Sequence, residues 1–243
     1  MTAGRQTLLL PGIAAALAFL VLIGLGTWQL ERRQWKHALI DTLTQRLGAA
    51  PMALPAKPHW GALTAEHDEF RRVIFHARFR AKEWALVHTV GSPLRPDVGG
   101  PGYWVFAPAR LDDGGVVVVN RGFVPADRID SLERSESDAT IGIVGYLRWP
   151  ESRGSFTPND DPARNVWYVR DHRAIAAAKN WGETAPFFVD QEGPVPPGGL
   201  PRPGALKVQL RDDHLQYALT WYGLAAVLVA VFAFWAHGRW RSH

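Results

Sequence analysis

Two stretches of the chain are apolar for longer than a soluble helix needs, and between them hydrophobic and polar positions alternate over short distances. Leu8 to Trp28 gives 21 residues without a charge, and Leu215 to Ala236 gives 22. At about 1.5 Å per residue, each covers the roughly 30 Å hydrocarbon core of a bilayer. Each is therefore expected to be a membrane helix. The first is followed by GTWQLERRQWK rather than by small residues at a cleavage site, so it reads as a retained anchor that continues as helix out of the bilayer. In that continuation Trp28, Arg32 and Trp35 share one face, and Gln29, Arg33 and Lys36 lie about a quarter-turn away. Such a surface suits interfacial anchoring or a clamp for an anionic group.

The roughly 175 residues between the spans fall within the usual size of one domain. Residues 69–81 place Val73, Phe75, Ala77 and Phe79 against Arg72, Ile74, His76 and Arg78, the period-2 pattern of a strand with one solvated face. Residues 84–90 read as its hairpin partner, and the proline- and glycine-rich residues 91–102 as a loop. Tyr103 to Leu111 and Val116 to Arg121, joined by a turn at 112–115, form a second hairpin. The four valines at 116–119 predict a strand covered on both faces, and Gly122 after Arg121 predicts a bulge or a close backbone approach. A charged loop or short helix at 127–140, strands at 141–149, 166–169 and 187–190, and a helix at 171–180 complete the domain. Residues 193–204 read as a stiff linker.

The fold class is thus a membrane protein with two transmembrane α-helices flanking a β-rich, barrel- or sandwich-like, α+β extramembrane domain. The divisions fall at residues 1–36, 37–211 and 212–243. Arg5, Arg239 and Arg241 favour cytoplasmic termini, while Arg32, Arg33 and Lys36 oppose them, so charge leaves the orientation open.

The absence of cysteine rules out disulfides, thiolate metal sites and covalent c-type heme. With methionine only at positions 1 and 52, a carrier of Cu(I) on soft sulfur ligands is also excluded. A net charge of +4 between two membrane spans points to anionic lipid or an acidic partner surface, not to nucleic acid. There is no nucleophile elbow, zinc-protease histidine pair, P-loop or dinucleotide fingerprint. The paired acids at 112/113, 160/161 and 212/213 occupy turn or boundary positions, where aspartate bonds its own backbone. His76 and His88, on strands, are candidate ligands of low specificity, and Ser92, Ser131 and Ser155 are the serines a hydrolase would draw on.

His214 is the outstanding candidate. It opens the second span, and at about 100° per residue His214, Tyr217, Ala218, Trp221 and Ala225 share one helix face. An imidazole, two large aromatics and small alanines suit either a flat, partly apolar ligand or a second helix packed closely. A neutral imidazole ligates heme iron, and a heme at the membrane surface would keep its tail in lipid and its propionates near Arg32, Arg33, Lys36 or Arg211.

Three stretches, GLGTWQLERRQWK at 24–36, VVVVNRGFVP at 116–125 and HLQYALTWYGLA at 214–225, resemble the Surfeit locus 1 family of cytochrome c oxidase assembly factors. GYWVFAP at 102–108 and GYLR at 145–148 extend the likeness in order along the chain. Where the family usually has asparagine before the HL pair, this chain has Asp213. The resemblance implies a non-enzymatic, membrane-anchored factor that binds heme a and promotes its insertion into oxidase subunit I. His214 is then the iron ligand, Trp28, Tyr217 and Trp221 wall the porphyrin, and Arg32 and Arg33 meet the propionates. Subunit I, heme a synthase and membrane lipid are the implied partners. The implied setting is a bacterial plasma membrane with the central domain in the periplasm. The alternative is a cofactor-free scaffold for early subunit I intermediates, working through surface residues around Tyr103, Trp104 and Arg121.

Overall fold

The computed structural model describes residues 3–134, 140–208 and 212–241. They form two compact units, one from the described residues within 1–41 and 210–243 and one from those within 42–209. The first contains most of α1 (Ala3–Gly48) and all of α4 (His214–Arg241), both long and apolar enough to cross a membrane. Leu10, Leu20, Val231 and Phe234 are among the large apolar side chains that stay more than 60% exposed on them. A continuous apolar surface of this kind marks a contact with membrane or with another protein.

The second unit is a mixed sheet with short helices. In chain order it comprises β1 (Met52–Ala53), a 3-10 segment (Lys57–Ala62), α2 (Ala65–Asp68), β2 (Arg72–Arg78), β3 (Ala85–Ser92), β4 (Arg95–Arg110) and β5 (Val116–Pro125). A second 3-10 segment (Ala126–Arg134), β6 (Thr140–Arg148), a third (Pro162–Arg164), β7 (Val166–Trp167), α3 (His172–Ala178) and β8 (Phe188–Gly193) follow. The sheet order is β1-β2-β6-β8-β5-β4-β3-β7, and Arg78 of β2 also pairs with Arg110 of β4. That pairing closes five strands, β2, β6, β8, β5 and β4, into a ring.

Alternation along the strands fills this ring. Val73, Phe75 and Ala77 from β2 meet Ile143 and Leu147 from β6, Val189 from β8, Val117 and Val119 from β5, and Ala107 and Ala109 from β4. Trp60 lies edge-on to Phe187 at 5.8 Å and donates its indole N–H to the Pro55 carbonyl at 2.8 Å, so it joins this core without an unpaired polar atom. On the other face, Val118, Phe106 and Phe188 pack under Ile175, Ala176 and Trp181. The valine run is therefore covered on both faces, as the sequence predicts.

Two expectations are corrected. The strand at 84–90 is not the hairpin partner of β2, because β2 pairs with β6 while β3 lies between β4 and β7. Ala85, Leu86 and Val87 are all buried, so β3 needs cover on both faces and sits inside the sheet. The stretch 91–102 is not simply a loop, since β4 begins at Arg95. Register shifts at Thr89/Gly91 and Gly91/Ser92 bend the ladder, and the glycine at φ +151° takes a conformation few other residues adopt.

Residues 193–204 also pack more closely than a free linker does. Phe123 and Arg202 exchange backbone hydrogen bonds of 3.0 and 2.8 Å, and Gly204 N–H donates to the Gln191 carbonyl. Gly122, at φ +123°, lies directly against this segment, the close backbone approach expected of it.

The N-cap of α3 is Asp171, whose carboxylate accepts from the N–H groups of Arg173 and Ala174. The next residue, His172, is fully buried; its Nε2 bonds the Ala185 carbonyl at 2.9 Å, while Nδ1 has no partner among the described residues. Burial pushes its pKa down to about 4. The unfolded chain takes up this proton as pH falls through about 6.5 and the folded chain does not, so stability is lost between roughly pH 6.5 and 4 and changes no further below that through this group. Thermal unfolding in detergent across this window should show a loss of about 3 kcal/mol in the wild type, and His172→Gln should remove that part of the slope. An unchanged slope in the variant would contradict this assignment.

Candidate functional site

The site is built where α1 and α4 meet in the helical unit. Gly26 is buried on α1 because the Tyr222 ring lies where a Cβ would stand, 2.6 Å away. The Tyr222 hydroxyl and Thr27 Oγ1 share a hydrogen bond of 3.2 Å. On α4, Ala218 and Ala225 are each 1% exposed. Small residues that let two backbones approach, with a polar bond between the helices, are the usual basis of helix pairing in lipid.

One turn further along α1, Gln29 Oε1 lies 2.8 Å from His214 Nδ1. A carbonyl oxygen can only accept, so in a neutral ring this contact calls for the proton on Nδ1 and would leave the lone pair on Nε2. One more turn along, Arg33 Nε donates to Asp212 Oδ2 at 3.2 Å, and His37 Nε2 lies 2.6 Å from the same oxygen. The other oxygen, Oδ1, accepts the backbone N–H of His214 at 3.1 Å, the Asx-type turn that opens α4. His37, the His214 N–H and Arg33 together hold the Asp212 pKa down at about 2. Asp212 is thus a carboxylate throughout the physiological range and fixes the start of α4.

The side chains proposed from sequence divide into two groups. His214 and Arg33 take part in the contact between the helices, and Trp221 is half-buried. Trp28 and Tyr217 are 54% and 55% exposed, and the exposed Arg32 lays its guanidinium over the Trp35 ring at 4.1 Å. A shallow groove beside α4 is lined by Asp212, Leu215, Gln216, Leu219 and Thr220, on a different flank from Tyr217. Arg211 lies outside the described residues. Gln29, His37 and Asp212 are the parts that sequence reasoning did not assign. Gln29 was visible only as a member of the Arg33 face, and Asp212 only as a turn-type acid.

In the sheet domain, Trp104 is 5% exposed and belongs to the core, which corrects its assignment to a partner-binding surface. From Trp104 to Ala109 its strand, β4, is buried on both faces. Arg121 stacks over Phe79 at 4.6 Å, and Arg148 bonds the buried Asp190 at 2.9 Å. His88 packs between the rings of Tyr103 and Tyr168, and His76 is exposed. No group of three His, Cys, Asp or Glu side chains that could hold a metal occurs among the described residues. Ser92 Oγ accepts from the Leu94 N–H and Ser131 Oγ donates to the Arg128 carbonyl, both local backbone bonds.

Comparison with known proteins gives a consistent answer along most of the chain. The family model described as "SURF1 family" matches residues 16–226. Surfeit locus protein 1 of Rattus norvegicus is 38% identical over 216 residues, covering 84% of this chain and 68% of that protein. The human protein of the same name is 35% identical over 216 residues, with 84% and 70% covered, and that of Takifugu rubripes is 36% identical over 229 residues, with 86% and 91% covered. The matched region includes β2 to β8, all of the contacts from Gly26 to Asp212, and the first three turns of α4. The chain belongs to the SURF1 family.

Proposed function

We propose that this protein is a non-enzymatic assembly factor for heme a-containing cytochrome c oxidase, and that it binds heme a as cargo and promotes its insertion into subunit I. The observation that carries the reading is the His214 ring, opening a membrane helix with Nδ1 engaged by Gln29 and Nε2 left as the basic nitrogen. That is the arrangement a protein uses to present a histidine to iron. Trp28, Tyr217 and Trp221 would offer aromatic surface to the porphyrin, and Arg32 and Arg33 are the cations nearest in sequence for its propionates. Arg33 is already bound to Asp212, which leaves Arg32 as the more available of the two.

Subunit I is the recipient in this reading, heme a synthase a candidate donor, and lipid surrounds the two apolar helices. The proposed setting is a bacterial plasma membrane, with the sheet domain on the periplasmic side. In cells lacking the protein, reintroduced wild type should restore the heme a content of subunit I, and His214→Ala, present at the same level, should not. Full restoration by the variant would overturn the ligand assignment.

A second reading has its own support. Ala218 and Ala225 are spent on packing against α1, as the helix-pairing alternative for that face requires, and Tyr217 is turned outward. A cofactor-free scaffold would use the helix pair as a rigid support for subunit I intermediates, and His214→Ala would then be almost silent.

A further inference from the structure

The proposal above makes His214 a ligand; what decides which ring nitrogen it offers, and in which direction, is a separate matter. We propose that Gln29 is the positioning residue for His214, selecting the tautomer with Nε2 unprotonated and fixing the ring plane. This inference rests on the heme reading for its purpose but not for its test.

Three features favour positioning over incidental contact. The bond is 2.8 Å and joins residues 185 apart in sequence, so it forms only when the two helices are paired. Gln29 is also held from both sides. Three residues before it, Gly26 is pressed against Tyr222, and four residues after it, Arg33 is bound to Asp212. These neighbours on the same face leave the amide little freedom to withdraw. Finally, the backbone of His214 is anchored separately, through its N–H to Asp212 Oδ1. With the backbone held by Asp212 and the ring by Gln29, the imidazole has two independent supports. One would suffice if the side chain merely filled space.

An acceptor at Nδ1 also adds electron density to the ring and makes Nε2 a stronger donor, as carbonyl and carboxylate partners do for metal-bound histidines. Glutamine does this without adding a charge at the membrane boundary, where a carboxylate would be costly unless paired.

The test uses the full-length protein in detergent, labelled with 15N-histidine, with the His214 signals identified by their loss in His214→Ala. In the heme-free wild type, Nδ1 should be protonated and Nε2 not. In Gln29→Leu, which keeps the side-chain bulk, the ring should populate both tautomers, while Gln29→Glu should keep the wild-type form. Hemin titrated into the same samples should bind ten- to a hundred-fold more weakly to Gln29→Leu, the range typical of lost partners to metal-bound histidines. Unchanged thermal unfolding would show that helix pairing survives. A wild-type ring protonated at Nε2, or a Gln29→Leu ring with the wild-type tautomer, overturns the proposal. If the tautomer shifts as expected but no form binds hemin, Gln29 still positions the ring, and it is the heme reading that fails.

Discussion

Gly122→Val should destabilise the sheet domain by about 4 kcal/mol or more, enough to leave much of the protein unfolded if its total stability lies in the usual range of about 5–15 kcal/mol. A Cβ at this position would stand 2.2 Å from the carbonyl carbon and oxygen of Arg202 and 2.4 Å from the nitrogen of Pro203, all backbone atoms. The clash cannot be relieved by turning a side chain. Moving the 202–203 segment away would break the two hydrogen bonds between Phe123 and Arg202, each worth about 1 kcal/mol. The φ of +123° adds strain of order 1–3 kcal/mol for a residue with a Cβ. Gly114, also at positive φ but with open space around it, is the control: Gly114→Ala should cost only the backbone strain. Urea unfolding monitored by tryptophan fluorescence would compare the two, and equal losses would refute the steric account of Gly122.

Asp190→Ala should cost about 3–5 kcal/mol, because it leaves a buried cation short of its main partner. Asp190 is 4% exposed, accepts from Asn120 Nδ2 at 2.7 Å, and bonds Arg148 Nη1 at 2.9 Å, with Arg170 Nη1 at 3.6 Å. Arg148 is itself 5% exposed and keeps Glu69 at 3.2 Å and the ring of Phe70 at 4.7 Å, which puts the loss toward the lower end of that range. Asn120 is tied in further by accepting the Gly122 N–H at 3.2 Å, so the two sensitive positions belong to one neighbourhood. Replacing both charged partners, in Asp190→Leu with Arg148→Met, should restore part of what the single change removes, because the penalty comes from the unpaired charge and not from a lost attraction. A double variant less stable than both single ones would contradict this.

The features legible in the sequence are those decided by near neighbours. The uncharged lengths of α1 and α4, the alternation of β2, the four valines of β5 and the presence of a helix within 171–180 each follow from a few adjacent residues. The β4–β5 hairpin was legible for the same reason, its turn being local. Strand order was not, because β2 chooses β6, about 70 residues away, over the nearer β3. Nothing in residues 79–84 announces that Ala85, Leu86 and Val87 need cover on both faces. The prolines and glycines at 91–102 suggested a loop, although bulges let them run within strands.

At the site, the helical period brought His214, Ala218 and Ala225 onto one face correctly, but Tyr217 lies about 60° beyond the packed stripe and turns outward. Gln29, only one residue from Trp28, acquires its role from a partner 185 residues away. No local pattern can express that.

The most direct test of heme handling is the optical spectrum and extracted heme type of the protein purified in detergent from cells that make heme a, measured beside His214→Ala. The expected result is stoichiometric heme a in the wild type and its loss in the variant, with both proteins inserted and equally resistant to unfolding. A colourless wild type, or a variant carrying the same amount of heme, would contradict the role assigned to His214 and favour the scaffold reading.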